Sequence, residues 1–192
     1  MLRALYDWTL HWAAHRHALW VLAAVSFIES SVFPIPPDVL LIPMVIAAPH
    51  RAFRIAAVCT IASVLGALLG YAIGALAFET IGEPVLTALG KADSFDGFTA
   101  RYNDWGAWAV LIAGITPFPF KVITILSGAT GLSIPVFIVS SIVARGLRFF
   151  IVAGLLWKFG PPVRDFIERR LGLMFTLAMA LLLGGFLLLR VL

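Results

Sequence analysis

Charge is what this sequence has least of. Only 12% of its residues are Asp, Glu, Lys or Arg, about half of what the surface of a soluble domain carries. With 61% apolar residues and a mean hydropathy of +1.02, a water-soluble globule is excluded and an integral membrane protein is implied. Cysteine is limited to Cys59, so no disulfide can form within the chain. Histidine occurs only at His11, His15, His17 and His50. His11 and His15 are spaced to share a helical face as metal ligands do, but no third ligand accompanies them, and neither a metal nor another cofactor is expected. The net charge of +4 and pI near 9.7 do not signal nucleic acid, because the bases sit at the ends of apolar runs rather than along one stripe.

What is present is a series of apolar segments, enough for one membrane domain. Residues 1–17 mix Trp8 and Trp12 with acids and bases, the composition of a helix lying in the interface. No short apolar core with a small-residue cleavage site follows, so this end is expected to stay on the chain. Residues 18–48 form two short apolar arms around Pro34 and Pro36, each arm too short for the ~20 residues of a span. Two prolines one residue apart remove donors and force an extended break, which lipid tolerates only where protein or water covers it. A re-entrant hairpin is expected there. A full span, 55–78, carries Gly66, Gly70 and Gly74 at every fourth position, leaving one face smooth for close helix packing. The acidic stretch 79–104 reads as an extracytoplasmic loop with an interfacial helix.

The first pattern then recurs. Residues 107–132 are again two short arms around a proline pair, Pro117 and Pro119, followed by a second span, 134–157. Laying Pro34 on Pro117 brings Pro36 onto Pro119, Asp38 onto Lys121 and Val39 onto Val122 without a gap. Because each unit of hairpin plus span crosses once, the two copies have opposite orientation, an inverted repeat of the kind found in secondary transporters. A base-rich loop and a last span, 171–192, complete an all-α, multi-pass fold. The Lys and Arg distribution puts the N terminus and that loop in the cytoplasm.

Five ionisable residues fall inside apolar stretches: Glu29, Asp38, Lys121, Arg145 and Arg148. Each costs a few kcal/mol on insertion scales and so marks a functional position by default. Arg145 and Arg148 are three apart on one helical face and, with Lys121, form a candidate phosphate-binding set. Glu29 and Asp38 are candidates for proton coupling, since a partly desolvated carboxylate titrates nearer neutrality. The alternative is that the charges only pair with one another and pin the two halves together. For the prolines, the alternative is a simple kink.

These residues carry a resemblance. ESSVFPIPPDVLL in the first half, and GITPFPFKVITILSGATG followed by ARGLRFF in the second, resemble the DedA family of bacterial membrane proteins, also called SNARE-associated or VTT-domain proteins, and most closely its YqaA-type branch. The resemblance runs from about Ala18 to Gly160. It implies two opposed re-entrant hairpins and movement of a phosphate-bearing lipid, such as undecaprenyl phosphate or a phospholipid, between leaflets of the bacterial inner membrane, with a link to the proton motive force. It also implies that Glu29 and Asp38 are the family's membrane-embedded acid pair and that Lys121 stands where the family has a hairpin arginine. An earlier hairpin arginine would align near Ile115, and Arg145 and Arg148 are candidates to supply that cation. The partners expected are a lipid substrate, the bilayer and, if it oligomerises, a second copy. A small-ion or proton-coupled transporter and a structural scaffold are the competing readings. An enzyme is disfavoured, because no histidine lies near the arginines and the apolar segments hold no Ser/His pair.

Overall fold

The computed structural model describes residues 17–32, 36–88, 90, 92–116 and 118–160. The expected interfacial helix at 1–16, the prolines Pro34 and Pro117 and the last span at 171–192 lie outside the described residues. Within them the chain is all-helical, with no strand. In order, the helices are α1 (Ala18–Ser31), α2 (Asp38–Ala47), α3 (Ala52–Ala77), α4 (Glu83–Ala88), α5 (Ala92–Ile115), α6 (Phe120–Ala129) and α7 (Ile134–Gly160). A short 3-10 turn, Pro49–Arg51, leads into α3, and a π-helical turn, Phe78–Gly82, carries it into α4.

Among the described residues, two helical runs are long and apolar enough to cross a membrane: the 40 residues Pro49–Ala88, which include α3, and the 27 residues of α7. They lie side by side and antiparallel. Phe53 stacks on Phe150 and lies tilted against Trp157, Ser63 bonds Arg145, and Tyr71 packs on Phe137, so rising numbers on α3 meet falling numbers on α7. Their outer faces are apolar and exposed, with Ile61, Leu65 and Leu69 on α3 and Val139, Val143 and Leu147 on α7, while Ser63, Ser141 and Arg145 point inward. Exposing such apolar faces is stable in lipid and not in water.

The short helices fill the remaining room. At 14 and 10 residues, α1 and α2 are ~21 and ~15 Å long at 1.5 Å per residue, too short to cross. Ser26 meets Cys59 and Ser30 meets Ser63, a constant offset that makes α1 parallel to α3. The end of α1 is therefore level with the middle of α3. The chain then turns back, and Leu41, Met44 and Val45 of α2 share an apolar cluster with Ala18, Leu22, Ala52 and Ile55, beside the start of α3. Pro37 caps the return helix at φ −65°, where a missing amide hydrogen costs nothing.

The far half is built the same way around the other end of α3. Helix α5 descends from the Phe78–Phe95 stack, a second apolar cluster joins Val110, Ala113, Phe120 and Phe137 to Ala67, and α6 returns from Pro119, its N-cap. Gly131, at φ +62°, ends α6 in the left-handed conformation that favours glycine. The glycines of α3 explain how both short helices come so close. A Cβ at Gly66 would overlap the backbone of Phe27 on α1, one at Gly74 the backbone of Ile125 on α6, and one at Gly70 would crowd both Ser30 and Thr124.

Helix α5 differs in extent from the sequence reading, which began the second hairpin at 107 and assigned 79–104 to a loop with an interfacial helix. It is one continuous helix from Ala92. Its charged residues Asp96, Arg101 and Asp104 remain on the exposed side, while Phe95, Phe98 and Tyr102 form an aromatic file three to four residues apart that backs the helix.

Candidate functional site

The two places where the chain turns back face each other between α3 and α7, and all five intramembrane charges collect there. Glu29, in the last turn of α1, accepts a hydrogen bond from Nη2 of Arg145 at 2.7 Å. Asp38 opens α2 and accepts from Nη2 of Arg148. The same guanidinium donates through Nη1 to the carbonyl of Thr116, just past the end of α5, at 2.6 Å. Lys121, in the first turn of α6, donates to the carbonyl of Val32, just past the end of α1, at 3.1 Å. Each broken helix thus ends on a cation. That placement suits the partial negative charge of a helix C-terminus and satisfies carbonyls that lipid cannot.

The two ion pairs sit in different surroundings. Arg145 is 1% exposed and its Glu29 partner 10%, whereas Arg148 and Asp38 are 19% and 20% exposed. Arg145 lies against the rings of Phe120 and Phe149, 5.0 and 4.6 Å from their centroids, so its flat faces are covered by π-systems. Its Nε donates to Ser63 Oγ at 2.6 Å, and Ser63 is in turn 2.7 Å from Ser30 Oγ, which donates to Glu29. Asp38 and Arg148 have no such enclosure.

The spacing of Arg145 and Arg148 does bring both onto the face that meets the breaks. The structure does not gather Lys121, Arg145 and Arg148 around one open point, because Arg145 is spent on Glu29 and Ser63 beneath two aromatic rings. Each acid has an arginine partner, Glu29 with Arg145 and Asp38 with Arg148, which is the pairing weighed as the alternative to a ligand site. Pro36 and Pro119 stand at the breaks as expected. The residues that sequence reasoning missed are Ser30, Ser63, Phe120 and Phe149. The pairs Ser26/Ser30 and Cys59/Ser63, each four apart, were the available signal, since small polar residues at helical spacing in two apolar segments mark a hydrogen-bonded seam.

Comparison with known proteins places the sequence in a family. Residues 35–158 match the family model of the VTT domain. An uncharacterised protein of Haemophilus influenzae is 39% identical over 168 residues, covering 85% of this chain and 87% of its own. An uncharacterised protein from Histophilus somni is 38% identical over the same length, with the same coverage. No solved structure matches.

Proposed function

The chain belongs to the VTT-domain (DedA) family, which is associated with membrane transport, and from that premise we propose that it moves a phosphate-bearing lipid between the leaflets of a bacterial inner membrane. One observation carries the proposal. Acids, cations and helix ends capped by those cations are concentrated where two broken helices meet, midway along two antiparallel apolar runs. Packing alone gives no reason for that arrangement, because a buried ion pair seldom repays its desolvation against an apolar substitute. A polar layer at mid-depth is what a headgroup crossing the bilayer requires, while its acyl or prenyl chains stay in lipid.

The reading also takes α1–α2 and α5–α6 as opposed re-entrant hairpins of an inverted repeat. The two apolar clusters support it. One joins α1, α2, the start of α3 and the end of α7; the other joins α5, α6, the start of α7 and the part of α3 beyond its middle. Exchanging each helix for its counterpart in the other repeat turns one cluster into the other. In this proposal the cations of the layer supply the attraction for phosphate, and a carboxylate paired with one of them is the negative charge it must displace. Protonation of a released carboxylate would couple movement to pH. The step makes and breaks no covalent bond, and it needs no cofactor.

Purified protein in liposomes, with a fluorescent anionic phospholipid or a polyprenyl phosphate in one leaflet, tests the reading. Movement to the other leaflet above protein-free vesicles is expected. If lipids stay put while a proton or small-ion flux appears, the ion-transporter reading takes its place; if neither moves, the chain acts as a scaffold.

A further inference from the structure

The two ion pairs divide the labour of this site, and the hydrogen-bond directions around them say how. Arg145 Nε can only donate, so Ser63 Oγ accepts from it. Ser30 gives its one hydroxyl proton to Glu29 Oε2 at 3.1 Å. The contact between the two serines, which by distance alone has no direction, must then run from Ser63 to Ser30. Arg145 Nη2 closes the ring by donating to that same Oε2. Both arms of the ring start at the guanidinium and converge as donors on one carboxylate oxygen. A proton placed on that oxygen would leave two donors facing a donor, at a point 90% or more buried. Among the described residues no such ring surrounds Asp38, whose carboxylate accepts from Arg148 and is twice as exposed as that of Glu29.

We infer that Glu29 and Arg145 form a fixed lock that holds the first break against α7, and that Asp38 and Arg148 form the exchangeable pair, in which an incoming phosphate takes the place of Asp38 on the Arg148 guanidinium. This rests on the lipid-phosphate reading above and sharpens it. Of the three cations, Arg148 and Lys121 meet the headgroup and Arg145 does not. Of the two acids, Asp38 is the one displaced, and Glu29 keeps its place on Arg145. The exchange conserves charge: one anion leaves Arg148 as another arrives, and the freed carboxylate is neutralised by a proton from water. The titratable and charged groups that bear on this layer are Glu29 on α1, Asp38 on α2, Cys59 on α3, Lys121 on α6, and Arg145 and Arg148 on α7.

Removing the pairs singly and together separates the roles. Glu29→Gln or Arg145→Met strands a buried partner and should lower the thermal midpoint in detergent by on the order of 10 °C. The double variant Glu29→Leu/Arg145→Met should regain most of that loss and, in liposomes holding fluorescent phosphatidylglycerol, move lipid within a few-fold of the parent and with the parent's pH profile. Asp38→Asn should unfold near the parental temperature yet flatten the pH profile. Arg148→Met should cut transport at least tenfold, and Asp38→Asn/Arg148→Met should not restore it. A folded double lock variant that has lost transport or its pH dependence overturns the inference. If that variant does not fold, Ser63→Ala serves instead, because it breaks the ring at one point: an altered pH profile in folded Ser63→Ala protein overturns the inference, and an unaltered one supports it. Should the parent move no lipid, the transport reading fails separately. The lock then stands or falls on whether stability returns in the double variant.

Discussion

Arg148 reaches two acceptors through two nitrogens, the carboxylate of Asp38 and the carbonyl of Thr116. A lysine there would have one compact ammonium on a flexible stem and would not hold both in the planar fork. Arg148→Lys should therefore lose one charge-assisted hydrogen bond, about 1.5–3 kcal/mol, and transport assays in liposomes should find it roughly 10- to 100-fold slower than the parent but faster than Arg148→Met. Equal rates for Lys and Arg would mean that charge alone matters. Thr124 is a milder case. Its hydroxyl bonds the carbonyls of Ser30 and Lys121, tying α6 to α1, so Thr124→Val should cost about 1 kcal/mol, read as a small drop in thermal midpoint with transport retained. At this scale the sequence singled out the charged residues and not what they touch. Five charges in apolar segments are conspicuous in a one-dimensional reading. That Glu29 finds Arg145 across 116 residues, or that Phe120 and Phe149 enclose the guanidinium, is set by tertiary packing that no local spacing encodes.

Among the helices, α3 owes its place to three glycines. Gly66 and Gly74 each stand where a side chain would strike backbone, Phe27 on α1 and Ile125 on α6, and backbone cannot step aside as a side-chain tip can. Gly66→Ala and Gly74→Ala should therefore each push one short helix off α3, with less folded protein in detergent and a clearly lower thermal midpoint. Gly97 has nothing within 4 Å of where its Cβ would be, so Gly97→Ala should be neutral, or gain up to about 1 kcal/mol from helix propensity. Parent-like behaviour of Gly66→Ala would mean that α1 has room to shift. The spacing of these glycines was legible because it repeats every helical turn, and so were the proline breaks. The full length of α5 was not. Asp96, Arg101 and Asp104 lower its hydropathy to that of a loop, while what holds it helical is an aromatic file leaning on the end of α3, a contact that hydropathy does not register.

For the whole molecule, the proposed inverted repeat, with a re-entrant hairpin beside each end of two antiparallel runs, predicts which loops share a side of the membrane. With Cys59 replaced by Ser, single cysteines at the exposed positions His50, Thr87 and Ser133 should be labelled by an impermeant reagent from one side for His50→Cys and from the other for both Thr87→Cys and Ser133→Cys. Labelling of Thr87→Cys and Ser133→Cys from different sides would rule out the inverted repeat. The all-helical outline with its apolar runs was legible in the hydropathy, whereas the close packing of both α1 and α6 on α3 needed coordinates. The separation of charge between the halves also bears on how the protein is made. Both acids lie in the first half and their arginine partners in the second, 116 residues later for Glu29 and 110 for Asp38. At ~5–20 residues per second, roughly 5 to 25 s pass between the emergence of an acid from the ribosome and that of its counter-ion. During that wait the nascent first half holds carboxylates that lipid disfavours by a few kcal/mol, and the polar layer is complete only once α7 supplies the two arginines.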